Sequence, residues 1–312
     1  MKLLSGTLLA AVLILTGLFV HRDQESDTLN DQTRTGVVGS FVRLPHGTVH
    51  YQLAGPESGR TVVLVHGFSV PYYIWDPTYD ELVKKGFRVL RYDLYGRGYS
   101  DRPDEVYGPD LYDIQLNDLL SQLNVSGAVD LVGLSMGGPI VVTFADRHPE
   151  KVRRLTLVDP AYLTGKEPPL QVRAPLIGEY VMDVFIAPSL PHSQVDDFVH
   201  PERFPDYEGK YLPQMHYKGF RRALLSTMRN YLTRDDRLEY QQLGKSGLPV
   251  LLVWGKSDRT VPFSISKDVL KAVPQAQFYP VDQAAHVPQY EQPEVFNPIL
   301  IRFLQPTSLP HR

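Results

Sequence analysis

The chain has 312 residues, of which 43% are apolar and 21% charged, and its formal net charge is −3. That balance fits a globular protein with a sizeable core in one large domain, and charges of both signs are scattered along the chain, so no basic face for nucleic acid stands out. There is no cysteine, which excludes disulfides, cysteine-ligated zinc, a thiol nucleophile and a lipoprotein cysteine.

The first element follows Lys2: the apolar run "LLSGTLLAAVLILTGLFV", Leu3 to Val20. It is near the lower limit for spanning a bilayer, and no small-x-small cleavage site stands near its end. We read it as an uncleaved signal anchor, with a cleaved signal peptide as the alternative. The leading lysine would keep the N-terminus cytoplasmic and export the main domain; cleavage would instead give a secreted or periplasmic protein. Residues 23 to 35 are rich in Asp, Glu, Gln, Asn and Thr and read as a flexible tether. Anchor and linker thus occupy residues 1–35.

Next come "SFVRL" and "VHYQLAG", which alternate around the turn Pro45–Gly47 and predict a hairpin. Continuous apolar runs follow: "TVVLVHG", "FRVLRYD", "VDLVGLS", "RLTLVDP", "PVLLVWG" and "QFYPV". Each has the pattern of a strand buried on both faces. Helical segments alternate with them, near Tyr79 to Lys85, Leu111 to Leu123, Gly138 to Arg147 and Ser264 to Val273. Such alternation predicts βαβ units and a mostly parallel sheet with flanking helices, an α/β fold. The core should comprise residues 36–162 and 249–312. Between them, residues 163–248 contain helical pieces but no clear buried strand, far more chain than a crossover needs. They predict an inserted helical subdomain over the carboxyl edge of the sheet, where open α/β sheets bind ligands.

One polar side chain stands out within the runs. "GLSMG", Gly133 to Gly137, matches G-x-S-x-G and lies where a strand ends and a helix begins. A sharp turn there would strain Ser135 and push its hydroxyl above the sheet. Serine is a poor nucleophile unless a base takes its proton, so a histidine and a carboxylate should follow. His286, in "VDQAAHVPQYE", lies after the last strand; the only later histidine, His311, is in the terminal tail. Asp258, in "WGKSDRTVP", ends a late strand and is the preferred partner. Asp159, after "TLVD", is the alternative, and Asp282 is too close to the last strand. Oxyanion donors should be the backbone N–H groups of Met136 and Phe68. His66 reads as a brace for the loop that carries Phe68.

Together "HGF", "DLYGRGYSDRP", "GLSMGG", "WGKSDRTVP" and "AAHVPQYEQPE", in this order, resemble the α/β-hydrolase superfamily over residues 40 to 305. The resemblance implies the α/β-hydrolase fold, a Ser-His-Asp triad and a lid where the insertion lies. It makes Asp93 and Arg97 structural loop residues. Serine at the elbow argues against the epoxide hydrolases and haloalkane dehalogenases of that superfamily, which carry aspartate there. The expected activity is hydrolysis of carboxylic esters, with esterases like monoacylglycerol lipases as the specific guess. Rings across the insertion, among them Tyr162, Tyr180, Phe185, Phe198, Tyr207, Tyr211 and Tyr231, favour a lipophilic acyl ester. Carbon–carbon bond hydrolysis of meta-cleavage products is the enzymatic alternative, and a non-catalytic ligand-binding protein of the same fold is the alternative from another class. The expected partners are a small-molecule ester and, through the N-terminal segment, a membrane. "GKS" at Gly244 and at Gly255 lacks the upstream glycine of a phosphate loop, and no H-E-x-x-H occurs. No metal and no organic cofactor are expected.

Overall fold

The structure, a computed structural model, describes residues 2–305, apart from the side chains of residues 2–6, 8 and 11. His311 lies outside the described residues. Strands β1 (Ser40–Leu44), β2 (Gly47–Ala54), β3 (Thr61–Val65), β4 (Arg88–Tyr92), β5 (Val129–Leu134), β6 (Val152–Val158), β7 (Val250–Gly255) and β8 (Gln277–Val281) form one sheet. Their order is β1-β2-β4-β3-β5-β6-β7-β8. The hairpin β1–β2 is antiparallel and joins β4 antiparallel, while every pairing from β4 through β3 to β8 is parallel.

The sheet has two covered faces, which is why its central strands are apolar throughout. On β3, Val63 and Val65 enter one core with helices α1 (Pro109–Gln122) and α2 (Gly137–Arg147), where Leu116, Leu119, Ile140 and Phe144 are buried. Val62 and Leu64 enter the other, with Tyr79 and Leu82 of the helix Asp76–Lys84 and Phe296 and Leu300 of the helix Pro293–Leu304. Side chains that alternate across a strand thus feed both layers.

Between β6 and β7 the chain forms a helical insertion. It includes the helices Ala187–Ser193, Phe220–Asn230 and Arg237–Lys245, and among the described residues it holds no strand beyond isolated bridges, Thr164 to Asp235 and Tyr217 to Asp27. Aromatic side chains join it to the core: Phe198 packs on Phe204 and Tyr207, and all three on Tyr290. Of the rings counted above toward a lipophilic site, Phe198 and Tyr207 are spent on this packing, Tyr211 packs on Phe220 and Tyr231 on Tyr112, whereas Phe185 is exposed. Polar ties reinforce it. Gln214 accepts from Gly98 N–H at 2.9 Å and donates to Ser69 C=O at 3.0 Å. Arg97, fully buried, donates to Thr227 Oγ1 at 2.9 Å.

The N-terminal segment packs on the insertion. Lys2–Arg22 is a helix that exposes Leu9, Leu13, Ile14 and Val20; among the described residues no helix is long and apolar enough to cross a membrane. Near its end Phe19 stacks on Tyr180, and the Tyr180 hydroxyl donates to the Leu15 carbonyl at 3.3 Å. The acidic stretch after it is not the loose tether that composition predicts. Glu25 accepts from Gly219 N–H and Arg221 N–H at 2.7 Å each, at the start of the helix Phe220–Asn230, where free N–H groups attract a carboxylate. Asp23 pairs with Arg221, and Asp27 bridges Tyr217. Arg34 reaches the core, where it binds Asp101 at 2.5 Å.

Candidate active site

Strand β5 ends in a turn that explains both its glycines and its serine. Ser135 has φ 53°, a left-handed backbone that a non-glycine residue adopts at a cost. Neighbouring chain holds it there: Ser135 N–H donates to Val158 C=O at 2.9 Å, and Ser135 C=O accepts from Gly138 and Ala161 N–H. A Cβ on Gly137 would lie 2.4 Å from Val65 O, so only glycine lets α2 start this close to β3. The turn leaves Ser135 partly exposed among buried neighbours, at the positive end of α2.

The loop after β7 brings Asp258 to the loop after β8. Gly255 makes this approach possible, since a Cβ there would fall 2.0 Å from Ala285 O. His286 Nδ1–H donates to Asp258 Oδ2 at 2.8 Å, and both side chains are buried. The other oxygen, Asp258 Oδ1, accepts from Thr260 and Val261 N–H at 2.8 and 2.9 Å. Of the two carboxylates weighed from the sequence, Asp258 is the one bonded to the imidazole. Asp159 is buried beside it, and its Oδ1 accepts from Gly255 N–H at 2.8 Å. Asp282 is exposed and pairs with Lys256.

Burial disfavours a charged His286, but the hydrogen bond and charge of Asp258, with Asp197 behind them, outweigh burial and hold the imidazole above its ordinary pKa. His66 is the contrast. It is fully buried, and its two nitrogens bond Gly67 C=O and Leu94 N–H at 2.9 Å each. Burial, only partly opposed by Asp93, pushes its pKa down to about 4, so it is a neutral brace. Arg97 fastens the same loop through a 2.7 Å bond to Phe68 C=O. Asp93 accepts from Tyr72 and Tyr99 N–H and from His50. These three residues are structural.

Ser135 and His286 line one cavity of about 330 Å³. Among the described residues no hydrogen bond joins the Ser135 hydroxyl to the imidazole; catalytic hydrogen bonds often close only when substrate binds. Phe68 lines the cavity and Met136 follows Ser135, and neither backbone N–H donates to a backbone carbonyl. The apolar lining is Phe68, Val70, Ile74, Leu134, Leu190 and Val287; of the insertion's rings, none is in it. Asp196 and Asp197 are in the lining, with no lysine or arginine. An imidazole held by a buried carboxylate can take a proton from a nearby hydroxyl and return it to a leaving group.

Two residues beyond those expected position this site. Asp197, from the insertion, accepts the Thr260 hydroxyl at 2.7 Å and, through its carbonyl, His286 N–H at 3.1 Å. Glu291, fully buried, accepts Val199 and His200 N–H at 2.7 and 2.9 Å through Oε1 and Ala285 N–H at 2.9 Å through Oε2. It therefore ties the insertion to the residue before His286. A carboxylate amid "QYEQPE" is the sequence signal for it, whereas no local pattern marks Asp197. Glu291→Gln replaces one accepting oxygen by an amide that must face an N–H group. We expect it to lower unfolding free energy by about 2–3 kcal/mol in urea denaturation; an unchanged midpoint would show that the three bonds are dispensable.

Comparison with known proteins agrees with this architecture. The sequence model of the alpha/beta hydrolase family matches residues 62–299. The AB hydrolase superfamily protein YisY of Bacillus subtilis (strain 168) is 26% identical over 252 residues, covering 78% of this chain and 91% of that protein. A 2-hydroxy-6-oxononadienedioate/2-hydroxy-6-oxononatrienedioate hydrolase of Cupriavidus pinatubonensis is 26% identical, covering 85% and 94%. The solved structure of a thermophilic esterase from Thermogutta terrifontis superimposes with TM-score 0.70 at 25% identity, covering 85% of this chain and 98% of that one.

Proposed function

The chain belongs to the alpha/beta hydrolase family, and on that premise we propose that it is a serine hydrolase that cleaves uncharged, lipophilic carboxylic esters through an acyl-enzyme on Ser135. The observation that carries this reading is the 2.8 Å bond from His286 to buried Asp258, facing the cavity that Ser135 also lines. Ser135 Oγ attacks the ester carbonyl carbon while His286 Nε2 takes its proton. The oxyanion binds the N–H groups of Phe68 and Met136. Breakdown releases the alcohol, which leaves with the proton from His286. Water then attacks the acyl-serine by the same route, freeing the carboxylic acid and restoring the hydroxyl. Asp258 holds the imidazole with its proton on Nδ1 and stabilises the imidazolium. The helical insertion acts as the lid.

The lining supports the substrate class. Its apolar side chains suit an acyl group, and the volume of about 330 Å³ is at the small end for ligand sites, which favours short or medium chains over long ones. Similarity to an oxononadienedioate hydrolase raises carbon–carbon cleavage as a second reading. A dioate carries two carboxylates, however, and this cavity meets them with Asp196 and Asp197 and no cation. Desolvating an anion there without a partner is costly. A panel of esters graded in acyl length, each with a carboxylate-bearing counterpart, tests both points. We expect kcat/KM to peak at short or medium chains and to fall at least roughly tenfold on adding a carboxylate. Preference for the charged esters would overturn the assignment.

A further inference from the structure

Asp159 is buried to zero exposure, and its Oδ2 has no hydrogen-bond partner among the described residues. It is also one of the few non-glycine residues with positive φ, at 42°. A buried carboxylate in a strained turn is costly, and the one backbone bond from Gly255 N–H to Oδ1 leaves Oδ2 unaccounted for. Its surroundings give the reason. A carboxyl oxygen of Asp159, one of Asp258 and a ring nitrogen of His286 all lie within 4.8 Å of one another. The groups facing Asp159 are Asp258, Asp197, His286 and the Gly255 N–H. No lysine or arginine is among them, and Asp258 already accepts three N–H groups.

We propose that Asp159 holds a proton and donates it to Asp258, so that the partner of His286 is a carboxylic acid–carboxylate pair carrying one negative charge. Two carboxyls this close do not both ionise, because each charge raises the cost of the other. Burial first, and then the charge of Asp258, push Asp159 well above the usual carboxylate range. Asp159 is a positioning residue: it touches no substrate. Its donated bond fixes Asp258 toward His286 and draws charge from the carboxylate, which limits how far the imidazolium is stabilised. The proposal rests on the assignment of His286 as the base, but the proton on Asp159 does not.

Infrared difference spectra read that proton directly, whether or not esters are cleaved. At pH 7 the wild-type spectrum minus that of Asp159→Asn should show a protonated-carboxyl C=O band. Taking the difference removes the contribution of buried Asp236, which burial raises to about 8. Absence of the band, with a carboxylate band in its place, would overturn the proposal. Kinetics give the second readout. Asp159→Leu removes the donor and leaves Asp258 its full charge, so the acid limb of kcat/KM should move up by roughly half to one pH unit. The amide of Asp159→Asn can donate in place of the carboxyl and should bring the limb back to the wild-type position. A limb that stays put in the leucine variant, or that moves alike in both, would show that Asp159 only fills space. Should Asp159→Leu fail to fold, the infrared comparison with the isosteric asparagine still decides.

Discussion

Ser135→Ala is expected to lower kcat on a short-chain ester by about 10⁴–10⁶-fold, the loss typical when a serine hydrolase is stripped of its nucleophile. The size follows from what is left behind. His286, Asp258 and the two oxyanion donors keep their places, but no oxygen remains to form the acyl-enzyme, and water is not held where Oγ was. Folding should be little affected. The strained φ of 53° is imposed by backbone bonds to Val158, Gly138 and Ala161, none of which uses the hydroxyl. Alanine keeps the Cβ and removes only a partly exposed atom, so the unfolding free energy should change by less than about 0.5 kcal/mol. Ester hydrolysis that survives intact in a folded Ser135→Ala protein would contradict the mechanism.

The second large effect is at Asp258. Asp258→Asn should reduce kcat by about 10⁴-fold through the wrong imidazole tautomer. The carboxylate accepts three N–H groups: Thr260 and Val261 on Oδ1, and His286 on Oδ2. Asparagine has one accepting oxygen. If that oxygen serves the two backbone groups, its NH₂ faces His286 Nδ1 and forces the ring proton onto Nε2. That nitrogen then points a hydrogen at Ser135 and cannot act as base. The pH profile carries an independent signature. In the wild type, Asp258 and Asp197 raise the His286 pKa against burial. Activity needs the neutral ring, so it should fall with decreasing pH, with a midpoint above the ordinary histidine value of about 6.5. With Asp258 neutralised, burial dominates and the midpoint of any residual activity should shift down. An upward shift, or a profile flat from pH 5 to 8, would rule out this dyad.

Most of the sheet was legible because its strands are buried on both faces. Runs such as "TVVLVHG" and "PVLLVWG" have no other home in a chain of this composition, and they appear as β3 and β7. The serine elbow was legible for a related reason: a small residue between glycines at a strand–helix junction has few uses. The choice between Asp159 and Asp258 was harder. Both end a parallel strand at the same edge of the sheet, and only the close approach of Gly255 to the loop before His286 decides which one meets the ring. The N-terminal segment misled for a physical reason. Acidic composition resembles a solvated tether, but here Asp23 and Glu25 find Arg221 and the free N–H groups of a helix start nearly two hundred positions later. Composition holds no record of such distant pairing. The aromatic insertion posed a related problem. Ring content showed that much surface had to be buried, not whether it would face substrate or neighbouring chain, and Phe198, Tyr207 and Tyr290 face one another.

Covalent labelling with a fluorophosphonate, followed by peptide mass spectrometry, probes the nucleophile itself, because the reagent needs an activated serine but no knowledge of the natural substrate. A single phosphonyl adduct is expected on the peptide bearing Ser135, formed more slowly as pH drops through the His286 midpoint and lost in Ser135→Ala. A folded wild-type protein that stays unlabelled, or carries its adduct on another residue, would contradict the assignment of Ser135 as the nucleophile.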